Sequence, residues 1–178
     1  MATAGGPGDL AARRADRRAG SLVTQALGDA LGFLVEGHHP TICAKFVSRA
    51  FASAYPPSET RGPFSFGQYS DDTQLARELA LSFVEARGWD PACFARRIAA
   101  LFESETIVGR GHATAAAAAR LLQGVPWDRA GEPPPSAGNG GAMRAGPAGL
   151  FLPDDDVSDE PERSWGGPAH GGVGRWRR

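Results

Sequence analysis

Lysine is almost absent from this chain: of 19 basic residues, only Lys45 is not an arginine. Together with the abundance of Ala, Gly and Pro, this points to GC-rich coding sequence. Cysteine is also scarce. Cys43 and Cys93 lie far apart in apolar contexts, without a C-x-x-C partner, which argues for buried reduced thiols over a disulfide or a zinc site and fits a cytoplasmic protein. No charge sign dominates, because the formal net charge is -1. There is thus no basic field for nucleic acid or for an anionic membrane surface. No apolar run approaches the roughly 20 residues that span a bilayer. Arg13, Arg14, Arg17 and Arg18 precede an apolar stretch from Leu22 to Val35, but Gln25 and Asp29 interrupt it and no cleavage site follows, which argues against a secretory leader. Internal repeats and strand-like alternation are lacking too, and the expected fold class is all-α.

What remains is enough chain for one domain with a real core. Residues 1–16 are expected to be a disordered N-terminal segment, 17–152 the folded domain, and 153–178 a disordered, charged tail. From Arg17 to Val35, Leu22, Ala26, Ala30 and Phe33 form one helical stripe, while Gly20, Thr24, Gly28 and Gly32 form a second made only of small residues. Helical glycines each cost about 0.5–1 kcal/mol against Ala, so this second stripe implies close approach by a backbone or a ligand. Residues 56–69 read as a loop. Ser70 then caps a helix carrying Leu75, Leu79 and Phe83, and Gly88 ends it. Asp90-Pro91 opens another, with Phe94, Ile98, Leu101 and Phe102 on its buried face. A third is expected from His112 to Gln123, closed by Gly124 and Pro126. The segment from 131 to 149 has no firm assignment.

Three segments could carry chemistry. In Ser70-Asp71-Asp72-Thr73, a hydroxyl and two carboxylates meet at a loop-to-helix junction, the oxygen set that hard cations such as Mg²⁺ prefer. The alternative is a capped helix whose acidic first turn complements its dipole. Gly28-Asp29-Ala30-Leu31-Gly32 is followed by Glu36. Asp29 reads as a hydrogen-bonded structural carboxylate, with the glycines packing helices together. Glu36 at a helix C-terminus opposes the dipole and needs another justification, of which solvent exposure is the plainest. In Gly138-Asn139-Gly140-Gly141-Ala142-Met143-Arg144, amides unobstructed by side chains could approach phosphate or ribose, although such a segment alone is more often a turn. It lacks the Lys-Ser/Thr of a P-loop and the spacing of a dinucleotide fingerprint.

Taken in order, these segments resemble the ADP-ribosylglycohydrolase family, which runs Gly-Asp-Ala-Leu-Gly with a following Glu, then Thr/Ser-Asp-Asp-Thr, then Gly-Asn-Gly with Met-Arg. Gly109-Arg110-Gly111 and the helix after it also fit. The resemblance implies an all-helical bundle around a binuclear Mg²⁺ or Mn²⁺ centre, with Ser70, Asp71 and Asp72 as first-half metal ligands. It further implies Glu36 as a catalytic residue and Gly138, Asn139 and Gly140 as lining for ADP-ribose. Thr73 and Arg144 are expected to be structural. The implied substrates are an ADP-ribosylated protein or an ADP-ribose-type small molecule, with no nucleic acid and no membrane involved.

The family's second ligand segment, Asp-x-Asp-Thr, has no counterpart here. Asp154-Asp155-Asp156 carries Val157 where Thr is needed and follows the Gly-Asn-Gly segment too closely. The bundle is accordingly expected to be incomplete, through a shifted reading frame or a truncated gene. For this chain alone the expectation leans to a non-catalytic remnant or weak ADP-ribose-binding module over a working hydrolase.

Overall fold

The computed structural model describes residues 7–52, 60–133 and 138–151, so the expectations for 1–6 and for the tail after 152 lie outside the described residues. The architecture is all-α. Six helices, α1 (Pro7–Gly32), α2 (Pro40–Ala52), α3 (Asp71–Ala86), α4 (Pro91–Glu103), α5 (His112–Leu122) and α6 (Ala142–Phe151), are accompanied by a 3-10 turn at Phe33–Val35. Within the segment expected as loop, β1 (Thr60–Arg61) and β2 (Phe64–Ser65) pair antiparallel over two residues each.

Helix α3 is the hub. It packs on α1, on α4 and most extensively on α6, and α4 in turn packs on α5. The reason lies in its sequence: Leu75, Leu79 and Phe83, one turn apart, are all buried, and they meet Phe94 and Ile98 from α4, Ala118 from α5 and Ala148 from α6. Around Phe83 the rings of Trp89 and Phe151 lie at centroid distances of 5.5 and 5.4 Å.

The ends of α3 and α4 follow the expected caps. Ser70 Oγ accepts from Asp72 N–H and Asp90 Oδ1 from Ala92 N–H, with Pro91 in the first turn. At the C-terminus of α3, Arg87 adopts the left-handed conformation and Gly88 N–H donates to the Phe83 carbonyl oxygen. The α5 helix ends at Leu122, with Gly124 at φ +83° just beyond it.

One expectation needs correction, and two helices lie where none was assigned. Helix α1 begins at Pro7, so residues 7–16 are helical, well before Arg17. Helix α2 had no place in the sequence reading, and neither did α6, which contains Pro147. A proline inside a helix removes the N–H that would bond the carbonyl four residues earlier, here that of Met143. Gln25 on α1 fills the gap: its Nε2 donates to the Met143 carbonyl oxygen at 2.7 Å. The break in α6 is thereby converted into a tie between α6 and α1.

The stripe Leu22, Ala26 and Ala30 is half-buried, leading to the buried Phe33. No helix among the described residues is long and apolar enough to cross a membrane.

Candidate active site

Asp29 organises the start of α3. Its Oδ2 accepts from Ser70 N–H at 2.8 Å, Thr73 N–H at 3.1 Å and the Thr73 hydroxyl at 2.6 Å, while its Oδ1 accepts from the Ser70 hydroxyl at 2.8 Å. The first amides of a helix have no intrahelical acceptor, and here a carboxylate from another helix satisfies two of them. The expected structural role of Asp29 is what the geometry gives, and so is that of Thr73.

The paired carboxylates diverge. Asp71 is buried and turns to the loop after α4: its N–H donates to the Val108 carbonyl oxygen at 2.7 Å and its Oδ2 accepts from Gly111 N–H at 3.2 Å. Burial pushes its carboxyl up to about 6, against the Gly111 hydrogen bond and assisted by the neighbouring Asp72 charge. Asp72 has a different partner: its Oδ1 lies 3.4 Å from Asn139 Nδ2 in the turn before α6. Burial also raises the Asp72 carboxyl, with the Asp29 and Glu36 charges adding to the effect and the Asn139 contact opposing it. The turn reached by Asn139 has Gly138 exposed and Gly140 buried.

Ser70, Asp72, Asp29 and Glu36 line one cleft of about 500 Å³, walled by α1 and by Ala142, Met143 and Gly146 of α6. The small-residue stripe of α1 faces this cleft. Thr24, Gly28 and Gly32 line it, and a Cβ added at Gly28 or Gly32 would meet no atom within 4 Å. Gly28 and Gly32 therefore do not pack helices together, which corrects that reading of the Gly28–Gly32 segment; they keep the cleft wall low.

Glu36 sits on the cleft rim, exposed, and pairs with Arg61 of β1, whose guanidinium also donates to the Phe33 carbonyl oxygen at 2.6 Å. Arg144 is buried, stacks 5.7 Å from the Phe94 ring centroid, and has its pKa lowered by burial to about 10, with the charge of Asp71 opposing the shift.

Gln74 had no part in the sequence reading, and Gly109 entered it only through the Gly109-Arg110-Gly111 segment of the resemblance. Gln74 donates through Nε2 to the Thr106 carbonyl oxygen at 2.9 Å and accepts through Oε1 from Val108 N–H at 2.8 Å, fixing the loop against α3. Gly109, at φ +70°, closes that loop over Asp71, where an added Cβ would lie 3.1 Å from the Phe33 ring. The Gly-x-Gly spacing of Gly109 and Gly111 was the signal for the loop, whereas nothing local announced Gln74.

As oxygen donors, Ser70, Asp71, Asp72 and Glu36 suit a hard divalent cation in kind. In number they are few: among the described residues, no three His, Cys, Asp or Glu side chains converge as a metal-ion site.

Residues 10–163 match the family model described as ADP-ribosylglycohydrolase. The chain is 33% identical over 127 residues to an uncharacterized protein of Archaeoglobus fulgidus, an alignment covering 70% of this chain and 39% of that protein. It is also 33% identical over 159 residues to human ADP-ribosylhydrolase ARH3, covering 84% of this chain and 42% of the human protein. The chain thus spans about two-fifths of the length of these relatives. With the motif segments meeting at one cleft and the family match running through nearly all of the described structure, the chain belongs to the ADP-ribosylglycohydrolase family.

Proposed function

We propose that this chain forms the first half of a hydrolase centre for ADP-ribose linkages, with Ser70, Asp71 and Asp72 holding Mg²⁺ or Mn²⁺ and Glu36 acting beside them. The observation that carries the reading is the contact between Asp72 and Asn139, residues 67 apart in sequence, beside a cleft that also holds Glu36. Their convergence joins the proposed cation ligands to the proposed sugar-binding turn. When bound, the cation would polarise the linkage and orient the ribose hydroxyls.

The chain's own residues do the rest. Asn139, with a free amide oxygen's lone pairs and a second amide proton beyond its bond to Asp72, can hydrogen-bond ribose hydroxyls, and Gly138 leaves the neighbouring backbone open to them. The low wall at Gly28 and Gly32 admits a flat ligand against α1. In this reading Glu36 on the rim takes the proton of a water that attacks the anomeric carbon, while the leaving group departs with the bonding electrons. The substrate would be an ADP-ribosylated protein or an ADP-ribose-type small molecule.

A second reading is a non-catalytic ADP-ribose-binding module. It is favoured by the shortage of converging metal ligands among the described residues, because octahedral cations demand several well-placed oxygens. One experiment separates the two. The purified chain is incubated with ADP-ribosyl-arginine, ADP-ribosyl-serine or O-acetyl-ADP-ribose plus Mg²⁺ or Mn²⁺, and free ADP-ribose is measured. Release abolished by Asp71→Ala and Asp72→Ala supports the hydrolase. Calorimetric binding of ADP-ribose without release, weakened by Asn139→Ala, supports the module. Neither release nor binding rejects both.

A further inference from the structure

We propose that Asp29 is a positioning residue for the cation site, its carboxylate setting the direction in which the Ser70 oxygen and the first turn of α3 face the cleft. This inference rests on the cation-binding reading given above and assigns the part played by a side chain outside the proposed ligand set.

The hydrogen-bond inventory distinguishes a holder from a ligand. A carboxylate offers about four acceptor sites, and Asp29 meets four donors: two amides and two hydroxyls, from Ser70 and Thr73. Although Asp29 lines the cleft, both of its oxygens are engaged by α3, Oδ2 by three donors and Oδ1 by the Ser70 hydroxyl. Ser70 shows the complementary pattern. A serine hydroxyl has one proton and two lone pairs; the proton goes to Asp29 Oδ1 at 2.8 Å, and one lone pair accepts from Asp72 N–H at 3.3 Å. The remaining lone pair is thereby fixed in direction, with no freedom for the hydroxyl to turn its proton toward a cation. Carboxylates that hold a ligand's proton in this way orient the ligand and raise its donor strength.

The same four bonds set the backbone. With Ser70 N–H and Thr73 N–H both anchored to Asp29 Oδ2, the turn containing Asp72 cannot rotate about the helix axis relative to α1. The Asp72 carboxylate is thereby kept near Asn139 and the Asp71 carboxylate near Gly111.

The test titrates the full chain with Mn²⁺ alone, following free Mn²⁺ by electron paramagnetic resonance, alongside thermal unfolding. Asp29→Asn should weaken Mn²⁺ binding by roughly 10–100-fold, the usual consequence of losing a residue that orients a ligand. Leu79→Ala, which loosens the core away from the site, should lower the unfolding temperature and leave Mn²⁺ affinity unchanged. Should Asp29→Asn fail to fold, Thr73→Val removes one of the four donors and should shift affinity in the same direction by less. Weak Mn²⁺ binding in Asp72→Asn with wild-type binding in Asp29→Asn or Thr73→Val would overturn this inference and leave the cation site standing. Equal and negligible binding by wild type and Asp72→Asn would overturn both.

Discussion

The Arg61 guanidinium bridges the Glu36 carboxylate and the Phe33 carbonyl oxygen while lying 4.7 Å from the Phe33 ring centroid. The two-residue ribbon containing Arg61 therefore works as a strap on the 3-10 turn that carries Glu36. Both side chains of the pair are more than a third exposed, so the link should add only about 0–1 kcal/mol to stability. We expect Arg61→Ala to leave the unfolding midpoint nearly unchanged but to speed amide exchange around Glu36 and His38, and to reduce any ADP-ribose release more than it reduces stability. A large stability loss with unaltered exchange there would contradict the strap.

Gln25 and Pro147 form a compensating pair. Pro147→Ala restores the missing helical donor for the Met143 carbonyl oxygen, and the Gln25 amide then becomes redundant. Gln25→Ala alone should destabilise by about 1 kcal/mol. In the Pro147→Ala background it should cost much less. Urea unfolding of the two single variants and the double variant reads the coupling, and strict additivity would refute the compensation.

Gly109→Ala should destabilise by about 1–2 kcal/mol through its left-handed backbone alone. The added Cβ, 3.1 Å from the Phe33 ring, adds to the loss. Thermal unfolding measures this, and the same change at Gly28, which has φ in the helical range and open space around it, should be neutral or mildly stabilising.

Asp71 predicts a pH dependence in chelator-treated protein. Its carboxyl is raised from 3.8 to about 6 in the folded chain, so the folded state binds more protons than the unfolded state between those values. The stabilising contribution is complete below about pH 4 and is lost as pH rises through about 6, with a total of at most a few kcal/mol. Urea unfolding across this range should show wild-type stability falling and Asp71→Asn flattening part of that fall. An unchanged slope in the variant would reject the assignment to Asp71.

Much of this was legible in the sequence where local chemistry decides structure. Ser70, Asp90-Pro91 and Gly124 mark helix ends by hydrogen bonding and backbone preference within a few residues, and α3, α4 and α5 lie where those signals put them. The failures have non-local causes. In α6, Pro147 argues locally against a helix, and the bond that compensates for it comes from Gln25, 118 residues away. The exception is α2, where Ile42, Phe46, Val47 and Phe51 share one side of the helix by their spacing, a local pattern that was readable, although of these only Phe46 is buried. Asp29 and Thr73 were readable as structural. That Asp71 and Asp72 take different partners was not, because it depends on where the Val108–Gly111 loop and Asn139 arrive.

Gln74 behaves as a surrogate for a neighbouring β-strand. By pairing with the Thr106 oxygen and the Val108 nitrogen, two residues apart, its single carboxamide offers that segment the donor and acceptor that a sheet partner would have supplied. An irregular connection thus acquires a defined register without any sheet around it. Inserting or deleting one residue between these two anchors would break the match and shift the wall behind Asp71, making this a segment where length matters more than composition.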